Sequence, residues 1–343
     1  MHALSATLTT TGFAPMPGTF LRKLERALSI ELRCPECHEN LGSASYRSLA
    51  NSRSEYFCTA CSAKLTQENG IWGALPAARR AHFAKFVKDY EQVRKEEGRG
   101  SDNAEYYLAL PFSDLTGRNA GQWSIRGKTF RYIERGILPG LTGSPPLTIL
   151  DLGAGNCWMS HRLAHLGHRP VAVDLLTNSQ DGLGAASHYR GALPELFPRF
   201  QAELDHLPFA DAQFDCAIFN ASFHYSENYD RTLEDAIRCL RPGGTVVIAD
   251  SPTYGRELFG EQMRRERQDD FLKRFGFRSD ALNSGEYLTP ERMIALEARH
   301  DLEWKTDEIW YGMRWACRPW IAKWRKRRPP SQFFLYSAQV KGQ

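Results

Sequence analysis

The stretch LTILDLGAGNCWMSHRLAHLGHRPVAVD constrains the fold of this 343-residue chain more than any other. It begins with an apolar run of the kind that forms a buried parallel strand, and the glycines that follow allow a sharp turn with no Cβ near a ligand. A helical segment ended by a glycine and a second short apolar run come next. The predicted strand, turn, helix and strand are residues 147–152, 153–155, 157–166 and 171–173. This βαβ unit predicts a ligand crevice at the carboxyl ends of its strands.

Two acids at the ends of these strands indicate what the ligand carries. A dinucleotide fingerprint would have a third glycine, which the segment GAGNCW lacks. Asp174, after the second predicted strand, suits a ribose because both hydroxyls can donate to one carboxylate. Asp151, at the end of the first, suits an ammonium or sulfonium charge and would repel a pyrophosphate.

At this point the sequence resembles the class I S-adenosylmethionine (SAM)-dependent methyltransferases, in particular the type 11 and quinone-methyltransferase-like members. Their first motif is an E/D-x-G-x-G-x-G turn, and Cys157 replaces its last glycine here. The resemblance implies an α/β fold with a Rossmann-like sheet of seven strands, and SAM as cofactor. An α/β domain that uses the turn only for packing is the alternative. The resemblance assigns to the cofactor Asp151, Gly153, Ala154, Gly155, Asp174 and Leu175.

A later segment, residues 200–209, extends the resemblance. Its sequence FQAELDHLPF is similar to the family's D-x-x-x-L-P-F segment, with Glu203 in place of the aspartate. A carboxylate there can accept the adenine amino hydrogen, while the Leu204 N–H serves a ring nitrogen. Asp205 is the rival of Glu203 for this role. The segment LRPGG before the predicted fifth strand, Thr245 to Asp250, is also common in this class.

Methyl transfer requires an acceptor atom in line with the leaving sulfur, and a base only where the acceptor loses a proton. His224, after the predicted strand Phe214 to Asn220, is the candidate base because its ordinary pKa lies near neutral pH. A histidine satisfied by a neighbouring carbonyl is the alternative. Asn220 is a candidate for both cofactor and acceptor, and Tyr254 follows strand five, where an acceptor would sit. The N/D-P-P-Y/F run and the Pro-Cys pair of two other acceptor classes are absent.

Four cysteines form a second motif near the amino terminus. Cys34 and Cys37, twenty intervening residues, then Cys58 and Cys61 give the CxxC…CxxC spacing of a zinc ribbon, which favours a closed structural Zn²⁺ site. A thioredoxin-like redox pair is the alternative, although no βαβ pattern surrounds it. The order of residues around the cysteines looks like a Trm112-type ribbon, a family that binds and activates methyltransferases. The resemblance implies an activator fused in cis.

The regions outside these motifs leave alternatives open. In the predicted linker helix, Phe83, Phe86, Val87 and Tyr90 form an apolar stripe. The cations off this stripe, at positions 79, 80, 85 and 88, are expected to form a solvated face; a basic face that holds an acceptor is the alternative. Tyr106 and Tyr107 are candidates for a lid or for core packing. Near the carboxyl terminus, tryptophans alternate with cations; they can bind nucleic acid, or form a helix with Trp320 and Trp324 packed down.

Three further local signals concern the carboxyl-terminal half. Asp230, or else Thr232, is expected to cap the helix before LRPGG, and Thr289 with Pro290 predicts the start of a later helix. The segment from Phe333 to Ala338 is expected to be the final strand, antiparallel at the edge of the sheet.

These patterns predict a tail, a ribbon, a helical linker with lid, and a methyltransferase domain, at residues 1–18, 19–76, 77–145 and 146–343. A net charge of +4 is too mild to imply nucleic acid by itself, and no apolar run is long enough for a membrane helix. We therefore expect a cytoplasmic enzyme without a membrane partner. A small organic methyl acceptor is the leading expectation; the alternatives are an RNA or translation-factor methyltransferase and a non-catalytic SAM sensor or scaffold.

Overall fold

The computed structural model describes residues 29–51, 55–143 and 145–341. The predicted disordered tail, residues 1–18, and the first part of the predicted ribbon domain, residues 19–28, lie outside the described residues. Within the described residues, no helix combines the length and the apolarity that crossing a bilayer requires.

Twelve strands and ten α-helices make up the regular structure of the described residues. The strands are β1 (Ser29–Arg33), β2 (Asn40–Ser45), β3 (Glu55–Phe57), β4 (Lys64–Glu68), β5 (Ile71–Gly73), β6 (Thr148–Leu152), β7 (Arg169–Asp174), β8 (Arg199–Gln201), β9 (Phe214–Asn220), β10 (Leu240–Ala249), β11 (Lys305–Glu308) and β12 (Phe334–Gln339). The helices are α1 (Tyr46–Asn51), α2 (Ala77–Glu96), α3 (Ala104–Ala109), α4 (Ala120–Tyr132), α5 (Trp158–His165), α6 (Tyr229–Cys239), α7 (Glu257–Phe275), α8 (Pro290–His300), α9 (Met313–Ala316) and α10 (Arg318–Trp324). A π-helical turn, Ile133–Ile137, continues α4, and short 3₁₀ helices are Leu138–Gly140, Leu183–Tyr189 and Phe223–Tyr225.

Seven strands form the sheet that the resemblance implies, in the order β8-β7-β6-β9-β10-β12-β11. All neighbours from β8 to β10 are parallel, and β12 runs antiparallel to both β10 and β11. The expected α/β, Rossmann-like, seven-stranded sheet with an amino-terminal ribbon is confirmed. The last strand was expected at the edge, but β11 covers it, because the chain after α8 returns as an extra antiparallel strand.

The ribbon is part of the same sheet. Strand β5 pairs in parallel with β8, with Trp72 opposite Phe200 and Gly73 opposite Gln201. Strands β4 and β3 follow on antiparallel, so the sheet has ten strands, and β1 and β2 form a separate hairpin. Trp72 is fully buried and its indole N–H donates to the carbonyl of Leu49 at 2.9 Å. The ribbon and the methyltransferase sheet therefore share one hydrophobic core.

The period of two along the central strands places apolar side chains on both faces of the sheet. Leu150 and Leu152 belong to one apolar cluster and Ile149 to another. Thr289 caps α8 and Pro290 is its first residue, as the sequence predicts. Helix α6 is instead capped by Asn228, whose side chain accepts from the N–H of Arg231. Asp230 and Thr232, the expected caps, lie inside that helix.

Candidate functional site

The glycine turn after β6 forms the floor of a cavity at the carboxyl ends of the strands. Gly153 has φ +76°, and a Cβ there would lie 2.2 Å from the Cβ of Ser222, so only glycine fits. The N–H groups of Gly153 and Ala154 donate to the carbonyl of Val173 at 2.8 and 3.0 Å. Cys157 also has a left-handed conformation, φ +61°, which explains why glycine is usual at that position of the motif.

Asp174 connects this turn to the loop after β7. Its carboxylate accepts from the N–H of Gly155 at 2.7 Å and from the N–H of Leu176 at 2.8 Å. The side chain lines the smaller of two adjoining cavities, about 110 Å³ in volume, together with the predicted Gly153, Ala154, Gly155, Leu175, Leu204 and Asn220. Burial raises the pKa of Asp174 to about 6, opposed by the two N–H donors. The carboxylate is therefore ionised at neutral pH and faces the cavity.

Asp151 lies beneath the turn and does not line the smaller cavity. It is 1% exposed, and its carboxylate accepts from both the N–H (3.0 Å) and the hydroxyl (2.6 Å) of Ser160 in the first turn of α5. Burial raises its pKa to about 6. A carboxylate at the start of a helix interacts favourably with the helix dipole. In this conformation Asp151 holds α5 against the turn, rather than contacting a ligand as the sequence suggests.

Asn220, at the end of β9, lines the smaller cavity. Both polar atoms of its amide are buried, and neither has a hydrogen-bond partner among the described residues. An unpaired buried amide is costly unless a ligand or water satisfies it. This position therefore offers one donor and one acceptor to whatever occupies the cavity.

Glu203 is not brought to the cavity, whereas its neighbours Ala202 and Leu204 are. The Glu203 carboxylate is 3% exposed and forms a bidentate pair with Arg79 of α2, with N–O distances of 2.6 to 3.0 Å. Asp205, the rival candidate, also lies outside both cavities. The expected contact between Glu203 and the adenine is therefore wrong for this arrangement. The carboxylate instead binds Arg79, which lies on α2 and outside the 200–209 segment.

Helix α2, expected to be a linker with a solvated basic face, is instead a wall of both cavities. Phe86, Tyr90 and Arg94 line each of them. Arg94 is hydrogen-bonded to Asp181, and Arg79 to Glu203, so the helix is attached near both of its ends. The sequence signal was the apolar stripe, in which three of the four residues are aromatic and two of those, Phe86 and Tyr90, line the cavities.

The lid candidates Tyr106 and Tyr107 are core residues. They are 2% and 0% exposed, and neither lines a cavity. The hydroxyl of Tyr107 donates to the carbonyl of Gln180 at 2.7 Å. The residues of the 77–145 segment that do reach the smaller cavity, apart from those of α2, are Trp123 and Arg126 of α4.

A larger cavity of about 440 Å³ adjoins the smaller one and shares a wall with it. The shared side chains are Phe86, Tyr90, Arg94, Arg126, Ala221 and Tyr225. Further rings, of Phe271, Phe277, Trp315 and Phe333, line the rest together with charged groups. The cavity thus combines aromatic side chains with many charged and polar ones, so it can hold a small molecule that has both an apolar body and polar groups.

Arg126 and Asp250 are two charged groups of the larger cavity with unused bonding capacity, and Arg99, through its buried Nη1, is a third. Arg126 forms no hydrogen bond or ion pair with a described residue, and its guanidinium lies 4.8 Å from the ring centre of Trp123. Asp250, directly after β10, accepts from the hydroxyl of Thr129 at 2.7 Å through one oxygen, while the other is buried and unpaired. Burial raises the pKa of Asp250 and lowers that of Arg126 to about 10. The sequence reasoning missed both residues as site groups.

His224 lines the larger cavity, and its Nδ1 lies 3.3 Å from the hydroxyl of Ser251. Burial, with the nearby charges of Arg267 and Arg126, lowers the pKa of His224 to about 3. The ring is therefore neutral at working pH and a weak base. Tyr254 lines neither cavity; its hydroxyl accepts from Arg328 at 3.0 Å and its ring packs on Tyr287. The expectation that Tyr254 faces an acceptor is wrong, because β10 ends before it.

The four predicted zinc ligands, Cys34, Cys37, Cys58 and Cys61, form one cluster. All four sulfurs lie within 4.8 Å of one another, and two pairs are 3.5 Å apart. A tetrahedral Zn²⁺ with bonds of about 2.3 Å separates its sulfurs by about 3.8 Å, so the cluster fits the ion. His38 and Ser62, each directly after the second cysteine of its pair, both have φ +63°. Two matching knuckles therefore face each other, and four thiolates leave no open position for catalysis.

The ribbon contacts the loop that leads from the smaller cavity. The N–H of Arg33 donates to the carbonyl of Pro208, and the N–H of Ala210 to the carbonyl of Glu31, both at 3.0 Å. Together with the pairing of β5 and β8, these bonds hold residues 199–210 from two sides. Leu204 lies in this segment and lines the cavity. The zinc ribbon is thus joined by backbone hydrogen bonds to a segment that lines the cavity.

Comparison with known proteins agrees with this arrangement. Residues 150–248 match the family described as "Methyltransferase domain". Two similar proteins are a malonyl-[acyl-carrier protein] O-methyltransferase of Methylococcus capsulatus, 30% identical over 38% of this chain and 46% of its own, and a demethylmenaquinone methyltransferase of Mycolicibacterium vanbaalenii, 30% identical over 38% and 53%. The chain spans about half the length of the curated relatives it matches.

A solved structure with a similar fold is the 1,6-didemethyltoxoflavin-N1-methyltransferase of Burkholderia thailandensis. It is 16% identical and has a TM-score of 0.45, with 83% of this chain and 98% of that chain covered. The strand order, the glycine turn and the family match define a class I SAM-dependent methyltransferase domain. In this chain that domain follows a four-cysteine zinc ribbon and shares its sheet.

Replacing Asp174 with Ala should weaken SAM binding about tenfold or more, because the ribose loses its acceptor. The N–H of Gly155 in the glycine turn and the N–H of Leu176 in the loop after β7 lose theirs as well. Isothermal titration with SAM measures the affinity, and circular dichroism checks that the fold survives. Asp211→Ala, an exposed carboxylate on the ribbon side, is the control. An unchanged affinity in a folded Asp174→Ala protein would refute the ribose assignment.

Removing the zinc should destabilise the ribbon and also weaken SAM binding. The apparent affinity of structural zinc, about 10–16 kcal/mol, is largely folding free energy in such sites. Cys34→Ser with Cys58→Ser removes the two buried ligands, and Cys317→Ser, outside the cluster, is the matched control. Metal analysis, thermal unfolding and SAM titration give the three readouts. A double variant that has lost its zinc but keeps its thermal stability and its SAM affinity would contradict the link between the zinc site and the cavity.

Proposed function

We propose that this protein transfers a methyl group from SAM to a small organic acceptor. The observation that carries the proposal is the pair of adjoining cavities with a shared aromatic wall. One is lined by the glycine turn and Asp174. The other is lined by rings and by charged groups, among which Arg126 and one oxygen of Asp250 have no protein partner. Two sites joined by one wall suit a donor and an acceptor, which must be held close together and away from water.

The groups that line the smaller cavity suit SAM by their chemistry. Asp174 would accept from the ribose hydroxyls, the glycine turn leaves room for the backbone of the ligand, and Asn220 offers an unpaired amide. Leu175 and Leu204 supply apolar surface beside the adenine. When bound, SAM supplies an electrophilic methyl group on a sulfonium. The residues of the chain bind it, orient it and exclude water.

The larger cavity suits an acceptor with an aromatic or otherwise flat apolar body. Its rings offer stacking surface, and Arg126 offers an unpaired cation for an oxygen of the acceptor. Where the acceptor must lose a proton, Asp250 is the better base, since its unpaired oxygen is buried in the cavity wall. We assign His224 the role of a neutral hydrogen-bonding group. The name of one matched relative, for demethylmenaquinone, is compatible with an acceptor of this kind.

We also propose a role for each part of the chain. Residues 19–76 serve as a zinc-dependent support in cis, residues 77–145 cover the cavities, and residues 146–343 bind SAM. The contacts of Arg79 and Arg94 support the covering role of α2, which begins directly after the ribbon.

An RNA or translation-factor methyltransferase is the second candidate. The observation in its favour is a surface of exposed cations and tryptophans around α10, which could hold a polyanion. The ring-lined larger cavity, which shares a wall with the smaller one, favours a small acceptor over a macromolecule. A SAM-binding protein without turnover is the third candidate.

Transfer from methyl-tritiated SAM into a lysate should label the small-molecule and lipid-soluble fractions, with Asp174→Ala protein as the blank. The expectation follows from the aromatic side chains of the larger cavity, which offer a small flat molecule a place beside the wall shared with the SAM cavity. Fractionation into RNA, protein and small molecules gives the readout. Label in RNA or protein would support the second candidate, and SAM binding without any transfer would support the third.

Asp250→Asn should lower kcat about a hundredfold for the acceptor that the labelling experiment identifies, because an amide cannot accept the proton. The SAM affinity should change little. Asp250 lines the larger cavity and not the smaller one. Asp269→Asn, exposed on α7, is the matched control. Steady-state rates and SAM titration separate the two effects. Unchanged turnover in Asp250→Asn with a large loss in His224→Gln would return the base role to His224.

A further inference from the structure

The residues from 309 to 333 differ in charge from the rest of the chain. They contain seven lysines and arginines and no acid. The formal net charge of the whole chain is only +4, so the remainder of the protein is net negative. A patch of one sign on a protein of the other sign favours one orientation toward a charged partner.

This segment also carries the most exposed large apolar side chains of its region. Helices α9 and α10 have no buried residue. The exposed fractions are 64% for Trp310, 68% for Met313, 73% for Trp320, 44% for Ile321 and 81% for Trp324. Trp320 and Trp324 lie one turn apart on the same side of α10, so the expectation that they pack down onto the protein is wrong. Their apolar surface has no partner in the described part of the chain.

The exposure does not come from a loose tail, since the other side of the segment is fixed to the protein. Tyr311 is 8% exposed, and its carbonyl accepts from Lys128 at 2.7 Å. The rings of Trp315 and Phe333 pack 5.0 Å apart and both line the larger cavity. The segment is therefore a wall of that cavity, with its outer surface covered by tryptophans.

Exposed cations surround these apolar side chains. They are Arg314, Lys323, Arg325, Lys326 and Arg327, and none of them forms an ion pair with a described residue. Arg328, the next residue, does pair with Glu266 at 2.7 Å. The five free cations are thus available to an external anionic surface.

We propose that this surface, which we call the tryptophan patch, docks on an anionic lipid bilayer. Tryptophans concentrate at the headgroup level of membranes, and lysines and arginines beside them bind anionic headgroups. The aliphatic side chains of Met313 and Ile321 favour lipid over nucleic acid, because they can enter the acyl region but cannot stack on bases. The patch lies on the outer side of the Trp315 wall, so docking would place the larger cavity next to the bilayer. The proposal goes beyond methyl transfer and does not depend on the acceptor.

Co-sedimentation of the full chain with vesicles tests the proposal without SAM or acceptor. We expect binding to phosphatidylcholine vesicles that contain about one third phosphatidylglycerol, and little binding to phosphatidylcholine alone. Binding should weaken as salt is raised, because the cations are exposed. Trp320→Ala with Trp324→Ala should lower the partition coefficient about tenfold or more. Lys326→Glu with Arg327→Glu should lower it as well.

Leu258→Ala with Ile294→Ala is the matched control, since these side chains are 70% and 63% exposed outside the patch. This control should bind vesicles as the unmodified protein does, and SAM titration checks that every variant is folded. Three results would overturn the proposal: no binding of the unmodified protein to anionic vesicles, an equal loss in the control, or unchanged binding in the double tryptophan variant. Tight binding to a single-stranded RNA homopolymer that the tryptophan variant loses, without vesicle binding, would assign the patch to nucleic acid instead.

Discussion

The pairing of β5 with β8 is the constraint on which the rest of the structure depends. Two backbone partners, Trp72 opposite Phe200 and Gly73 opposite Gln201, join the zinc ribbon to the edge of the methyltransferase sheet. Because the two strands are parallel, the ribbon ends at the same edge as the ligand cavity. Helix α2 starts four residues later, at Ala77, and therefore passes over that cavity. The position of the ribbon thus determines where α2, the helix that covers the site, begins.

Two arginines hold that cover in place. Arg79 binds Glu203 near the beginning of α2, and Arg94 binds Asp181 near its end. Both carboxylates belong to loops after strands of the sheet, so the helix is held at the loops rather than by a deep apolar face. Among the buried groups left without protein partners, Asn220 and one oxygen of Asp250 face the cavities. Their free hydrogen-bonding capacity, together with the aromatic wall, distinguishes the site from the surrounding core.

Local patterns predicted the elements that depend on neighbours in sequence. The βαβ unit, the cysteine knuckles and the Thr289 cap follow from turns, spacing and periodicity, and each was found where expected. Glu203 shows the limit of a motif: its carboxylate is used by Arg79, 124 residues away in the chain. The base candidate shows another limit, since the low pKa of His224 results from burial and from Arg267 and Arg126.

The sequence by itself determined the chemistry of the turn and the metal ligands, because each depends on residue types at short spacing. Only the tertiary structure decided which polar groups face the cavities. Asp151 and Asp174 both follow predicted strands, yet one lies under the turn and the other lines the cavity. Trp320 and Trp324 could equally have packed inward by their spacing, and they are exposed. The reason is physical: the direction of a side chain and the partner it meets depend on segments distant in the chain, which periodicity does not record.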